Sequence, residues 1–552
     1  MSLWKDLNLS SQDRRLLGAF LGSSLLILGV GAAFAVVMVL VRTPALSLLP
    51  ASAYYEALTG HGTFMFVFWL SFVQTAFLIA AGTVLINSKL WSYKLAWAGL
   101  GLMLVAALLA LAGVLTGASI TYHASVPLAK EYPTSWLIYL SFIVLALGML
   151  VVALDFVLTV LAAVEHKGSI SCWAAFFKRI PTSAFAAISG LFIAVPGLVA
   201  ALKTFVPALL WAWGLGEINP STYRMSWHVA FHIYHYVPVL TLVGVAYVLV
   251  EATAEARSVY ASQVAKALFL LYPFFVPPTF LYHLLMDPNI PQNVKFVGTV
   301  LSLLVGTPTV LHTFIIVGML EAKMRRAGYG ALGWVKQLPW RNPAFSSMVM
   351  GMLTLFVGGL LAYMGLQGQL SPVLHNTFAV PAYIHAIAAG GANITYMGAF
   401  FYGLPIVLNR QLWGMKLARV QPYLMGASLL LMCLFGTVAG LAGVPRRYAE
   451  LGADAPEAWS TWMNLSLGVG GVLALVAIVL FLVVMGMTAM RGKKVDSPKQ
   501  AIHGLEALTL PQKVTYNRTP VALVPPIVFI VGIVVLTLLA FDFLRSIPNY
   551  GL

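Results

Sequence analysis

A chain of 552 residues that is 60% apolar and only 9% charged cannot be solvated mainly by water, so a soluble globular fold is excluded and an integral membrane protein is expected. The formal net charge of +15 would suit a nucleic-acid partner, but the arginines and lysines gather in alternate loops. That pattern marks a cytoplasmic face and leaves no support for nucleic-acid binding.

Apolar runs of about 20 residues or more predict thirteen membrane helices. They centre on 15–42, 60–87, 94–117, 134–164, 182–213, 226–250, 264–285, 294–320, 347–367, 377–408, 420–444, 463–490 and 520–543. The basic clusters "SQDRR", "EHKGS" through "FKR", "EAKMRR" through "LPWRN", "NRQLWGMKLAR" and "MRGKKVDSPK" all fall on one side. The N-terminus is therefore expected in the cytoplasm and, with an odd number of spans, the C-terminus outside. The first span lacks a cleavage pattern and is expected to be retained. With no long linker or low-complexity segment, residues 1–552 read as a single membrane domain, an all-α polytopic helical bundle. Cys172 and Cys433 lie too far apart in this topology for a disulfide framework or a cysteine metal motif.

Titratable groups inside a span are costly and point to function, whereas those in loops do not. His123, His166 and His503 fall in loops and read as solvated side chains. His61 (span 2), His228, His232 and His235 (span 6), His283 (span 7) and His385 (span 10) fall at similar depth in the outer half of the membrane. A lone intramembrane histidine is usually a hydrogen-bonded packing residue. Six from four spans point instead to haem or copper held inside a helix bundle. Carboxylates within spans are scarce, Asp155 being one, so a di-iron site is poorly supplied.

The segments "GHGTFMFVFW", "HIYHY", "YHLLMDPNIP", "GWVKQLPWRNPAF", "HNTFAVPAYIH" and "VPRRY" occur in that order. Together they resemble subunit I of the haem-copper oxygen reductases, closest to the B-type cytochrome c oxidases. The resemblance implies that His61 and His385 are axial ligands of a low-spin haem, of b type. It implies that Arg446 and Arg447 hold haem propionates, with His375 and Arg224 near those of a second haem. For the oxygen-reducing centre it implies copper ligands at His232 and His283 and a partner tyrosine, Tyr236, one helical turn after His232. Two positions depart from the family's pattern: Tyr282 stands where a third copper-ligating histidine is expected, and Tyr383 where the second haem's axial histidine is expected. Phenolate can hold haem iron, so Tyr236, Tyr282 and Tyr383 are the residues expected to bear on the chemistry of this centre. Tyr247, Thr309 and His312 match positions of a proton path from the inner side; there His312 replaces a threonine and Val243 a tyrosine.

The expected cofactors are thus a low-spin haem and, at the altered centre, a second haem and a copper ion. The expected setting is a multi-pass protein of a prokaryotic cytoplasmic membrane. Its expected partners are membrane lipid, a subunit II or other outer electron-donating subunit, small membrane subunits, and a cytochrome c, cupredoxin or quinol donor. Three functional readings stay open: a terminal oxidase reducing dioxygen, a nitric oxide reductase, and a non-catalytic membrane electron carrier whose second centre has decayed.

Overall fold

The computed structural model describes residues 9–119, 126, 132–257, 259–285, 290–330, 332–365, 370–451, 454–511 and 513. Among these, eleven helices are long and apolar enough to cross a membrane, or twelve if one bent pair is counted as a span. They are α1 (Ser11–Arg42), α2 (Ser52–Leu85), α3 (Tyr93–Leu115), α4 (Ser135–Ala163), α5 (Thr182–Ala212), α6 (Pro220–Ala254), α7 (Ala261–Phe275 and Pro277–Leu284), α8 (Gln292–Arg326), α9 (Pro343–Gly365), α10 (Ala379–Leu408), α11 (Met415–Leu441) and α12 (Glu457–Arg491). The described residues form no β-sheet, only the isolated bridges Thr377–Pro445 and Arg410–Lys494. The expected span at 520–543 and His123 lie outside the described residues.

The sequence explains several ends and bends. Ser10 and Asp13 close a reciprocal capping box at the start of α1. Asn219 accepts from the Ser221 and Thr222 amides, and Pro220 supplies a preset first turn for α6. The expected continuous span at 264–285 is instead bent by 48°. Pro277 and Pro278 follow the bend, and neither can donate a backbone hydrogen bond to the preceding turn. Asp155 is partnered on one side: its Oδ1 accepts the Ser92 amide at 2.7 Å, at the entrance to α3, while its Oδ2 is buried without a hydrogen-bond partner.

Close packing relies on small residues where spans cross. A Cβ on Gly99 would stand 2.9 Å from the Gly148 carbonyl, so α3 and α4 can touch backbone to backbone only because both positions lack a side chain. Gly31 does the same for α1 and α2, where a Cβ would meet the Met65 side chain. That approach also brings the Gly31 carbonyl within reach of His61.

Candidate functional site

His61 was expected at the start of its span but stands well inside α2, because "SAYYEAL" continues the helix outward past the apolar run. Directly after it the helix widens into π turns over Gly62–Phe68, and α10 does the same over His385–Asn393. Such π segments are rare and concentrate at functional sites. Both histidines therefore sit at a change of helical pitch.

Their imidazole rings face each other with centres 5.9 Å apart and planes within 9°. Each ring is held from behind through Nδ1: His61 meets the Gly31 carbonyl at 3.4 Å, and His385 the Pro381 carbonyl at 2.7 Å. With Nδ1–H donated to a carbonyl, Nε2 keeps its lone pair, as an imidazole needs when it ligates a metal. A first-row metal takes imidazole nitrogen at about 2 Å, so two rings on opposite sides of one ion put their centres about 6 Å apart. The pair fits a six-coordinate haem iron. About two turns further along both helices, from 61 to 69 and from 385 to 393, the Trp69 indole donates to Asn393 Oδ1 at 2.8 Å. This bond fixes the register between the two helices.

The rim beside this pair, expected to face outward, is a pinned loop. Phe378 donates its amide to the Val444 carbonyl at 2.8 Å, and Arg446 donates its amide to the Asn376 carbonyl at 3.0 Å and its guanidinium to Asn376 Oδ1 at 3.3 Å. Arg447 adopts a left-handed backbone, φ 64°, which strains a non-glycine residue and is tolerated where neighbouring bonds fix the chain. His375 lies just outside α10; burial and the nearby Arg446 and Arg447 lower its pKa from 6.5 to about 4, so it is neutral at pH 7. Arg446, Arg447, Arg224 and His375 all lie within electrostatic reach of His228, so the structure gathers the four residues expected near propionates.

Arg42 was missed. It is buried at the C-terminal end of α1, donates to the Tyr54 hydroxyl at 2.9 Å and to the Pro445 carbonyl, and stacks 4.8 Å from the Phe378 ring centre. It thereby holds the loop that carries Arg446. The available signal was an arginine at an outer span end, against the inner-face bias of the other basic residues.

Beside this site lies a second cluster of side chains. His232 and His283 approach with Nδ1 and Nε2 3.3 Å apart, and His232 Nε2 lies 2.7 Å from the Val276 carbonyl and 2.8 Å from Thr279 Oγ1. The Tyr236 ring centre is 5.1 Å from that of His232, and Tyr282 stacks edge-on at 5.2 Å. Tyr236 pairs with Tyr282 and lies within electrostatic reach of Tyr363 and Tyr383. Tyr383 itself lies against Gly365 at the end of α9. His228 stacks on His283 at 5.2 Å, whereas His235 turns away to pack on Phe66 and Phe231, its Nε2 buried without a partner.

Two imidazole nitrogens thus converge where the family's pattern has three, and among the described residues no group of three His, Cys, Asp or Glu side chains could hold a metal ion. The set at Tyr282 does not fit a three-imidazole copper site. At Tyr383 the side chain offers phenol oxygen in place of imidazole nitrogen.

Elsewhere on α6 to α8, the Tyr247 hydroxyl bonds His312 Nδ1 at 3.0 Å and the Tyr272 hydroxyl bonds Thr309 Oγ1 at 2.8 Å. Tyr272 was also missed; it adds a hydroxyl beside Thr309, one of the residues expected on a proton path. His312 Nε2 is buried without a hydrogen-bond partner.

The sequence profile of the family described as cytochrome c and quinol oxidase polypeptide I matches residues 15–473. Cytochrome c oxidase subunit 1 of Thermus thermophilus is 30% identical over 296 residues, 53% of this chain and 52% of that protein, so the aligned stretch spans about half the relative's length. The same subunit of Albinaria turrita is 29% identical over 137 residues, 25% of this chain and 67% of the relative. Among solved structures, a haem-copper terminal oxidase dimer seen by cryo-electron microscopy superposes with a TM-score of 0.79 at 22% identity, over 97% of this chain and 92% of that one. At that identity the likeness speaks for the fold.

Proposed function

Since the chain belongs to the cytochrome c and quinol oxidase polypeptide I family, whose members imply haem and copper cofactors, we propose that it is the haem-bearing subunit I of a respiratory terminal oxidase. In this reading electrons arrive from a donor on the outer face, dioxygen is the terminal acceptor, and protons are drawn from the inner side. The observation that carries the proposal is the parallel, carbonyl-anchored pair His61 and His385. A haem bound there supplies one-electron transfer without exchange of ligands.

The chain's own residues set the conditions for that transfer. The Gly31 and Pro381 carbonyls hold both imidazoles in the ligating tautomer. Arg446 and Arg447 offer guanidinium forks for propionates at the outer rim, toward the donor, and Arg42 holds their loop. For proton uptake this reading uses two hydrogen-bonded pairs, Tyr247 with His312 and Tyr272 with Thr309, and neutral imidazole can accept a proton on one nitrogen and release one from the other. The single membrane domain with its N-terminus inside, the outer electron-donating partner and the prokaryotic membrane setting belong to the same proposal.

A second reading is favoured by Tyr282 and Tyr383: the chain relays electrons through its low-spin haem, and oxygen chemistry occurs elsewhere in the complex. A carbon monoxide difference spectrum with metal analysis of the purified protein separates the two. The oxidase reading expects a carbon monoxide-binding component and oxygen consumption. One low-spin haem with no copper and no carbon monoxide complex would overturn it in favour of the relay.

A further inference from the structure

At the end of the bundle that the basic loops mark as cytoplasmic, the first turns of α1 and α3 frame a crevice of about 490 Å³ lined by Gln12, Arg15, Tyr93, Lys94 and Trp97. Two cations thus face one recess from two different spans. The neighbouring carboxylates are engaged behind its wall: buried Asp13 accepts from the Ser10 amide at 3.1 Å and from the Tyr93 hydroxyl at 2.7 Å, and buried Asp155 accepts the Ser92 amide. Among the described residues that line the recess, Arg15 and Lys94 are the charged ones, and both are exposed.

Away from the crevice, both helices continue as lipid-facing rows at helical spacing. On α1 the row runs from Arg15 through Gly22 to Leu26, which is 74% exposed; on α3 it runs from Lys94 through Trp97 and Gly101 to Leu108, 66% exposed. A Cβ added at Gly22 or at Gly101 would meet nothing within 4 Å, so each row has a notch. Trp97 stands between the charged end and the apolar rows, where an amphipathic indole sits at a membrane interface.

We infer that this crevice binds the phosphodiester headgroup of an anionic phospholipid, with an acyl chain lying along the notched rows. Guanidinium and ammonium together match a phosphoryl anion, which free phosphate shares. The apolar track beneath the cations favours the lipid. This inference stands apart from the haem assignment, since none of its residues touches that site.

The full chain, reconstituted in nanodiscs of phosphatidylcholine with phosphatidylglycerol and released for native mass spectrometry, tests it. The wild type is expected to retain phosphatidylglycerol in preference to phosphatidylcholine. Arg15→Ala with Lys94→Ala should lower that preference about thirtyfold, from the contribution of two interfacial basic residues. Lys167→Ala with Lys499→Ala, which removes equal charge from the same face outside the crevice, should leave it intact, and Arg15→Lys with Lys94→Arg should largely restore it. Equal retention by the Arg15/Lys94 alanine variant, or no preference in the wild type, overturns the inference. Displacement of the lipid by millimolar inorganic phosphate would show that the phosphoryl group alone is bound, and would overturn it too.

Discussion

Replacing His61 by alanine removes the low-spin haem band from the reduced-minus-oxidised spectrum, and replacing His385 does the same. On the proposed assignment, each substitution deletes one of two axial nitrogens and leaves an apolar gap that cannot replace it. Loss of a partner that merely orients a metal ligand already costs about 10- to 100-fold in affinity, so loss of the ligand itself should cut low-spin haem content by more than about tenfold. His235→Ala is the control. That imidazole is equally deep but packs on Phe66 and Phe231 rather than facing another histidine, so its removal should leave the band in place. Full retention of the band in His61→Ala would contradict the assignment.

The second large effect is a gain. Tyr282→His adds a third imidazole beside His232 and His283, whose nitrogens already stand 3.3 Å apart, and should raise copper content relative to the parent. Tyr383→His places imidazole where the family's second haem is tethered and should raise the carbon monoxide-binding fraction. The double variant is expected to show both, with oxygen consumption up by an order of magnitude or more. Tyr282→Phe and Tyr383→Phe remove the same hydroxyls without adding a nitrogen donor and should gain nothing. If the histidine variants matched the parent in copper and carbon monoxide binding, the two tyrosines would not be what sets this centre apart.

Much of this architecture was legible because lipid solvation is a strict constraint. A backbone in hydrocarbon must satisfy its own hydrogen bonds, so apolar length alone located the helices from α1 to α12. Pairing His61 with His385 was legible only through the family resemblance that the motifs carry, since depth alone gathered six histidines. Their mutual orientation was not, because it depends on the π turns after each histidine and on carbonyls at Gly31 and Pro381 that carry no side-chain signal. Arg42 and Tyr272 escaped for a related reason: each acts through a partner far away in sequence, Pro445 for the first and Thr309 for the second. The three histidines of span 6 show the limit of periodicity. Residues 228, 232 and 235 share one helix face, yet His228 and His232 turn toward His283 while His235 packs between aromatic rings.

The central claim, a haem iron held between His61 and His385, is tested most directly by low-temperature electron paramagnetic resonance of the oxidised protein. The two ring planes lie within 9° of each other, and parallel imidazoles donate into the same iron d orbital and split it from its partner. The predicted result is a rhombic low-spin ferric signal that is lost in His385→Ala. A strongly axial low-spin signal, as crossed ring planes produce, or a high-spin signal alone would contradict the account.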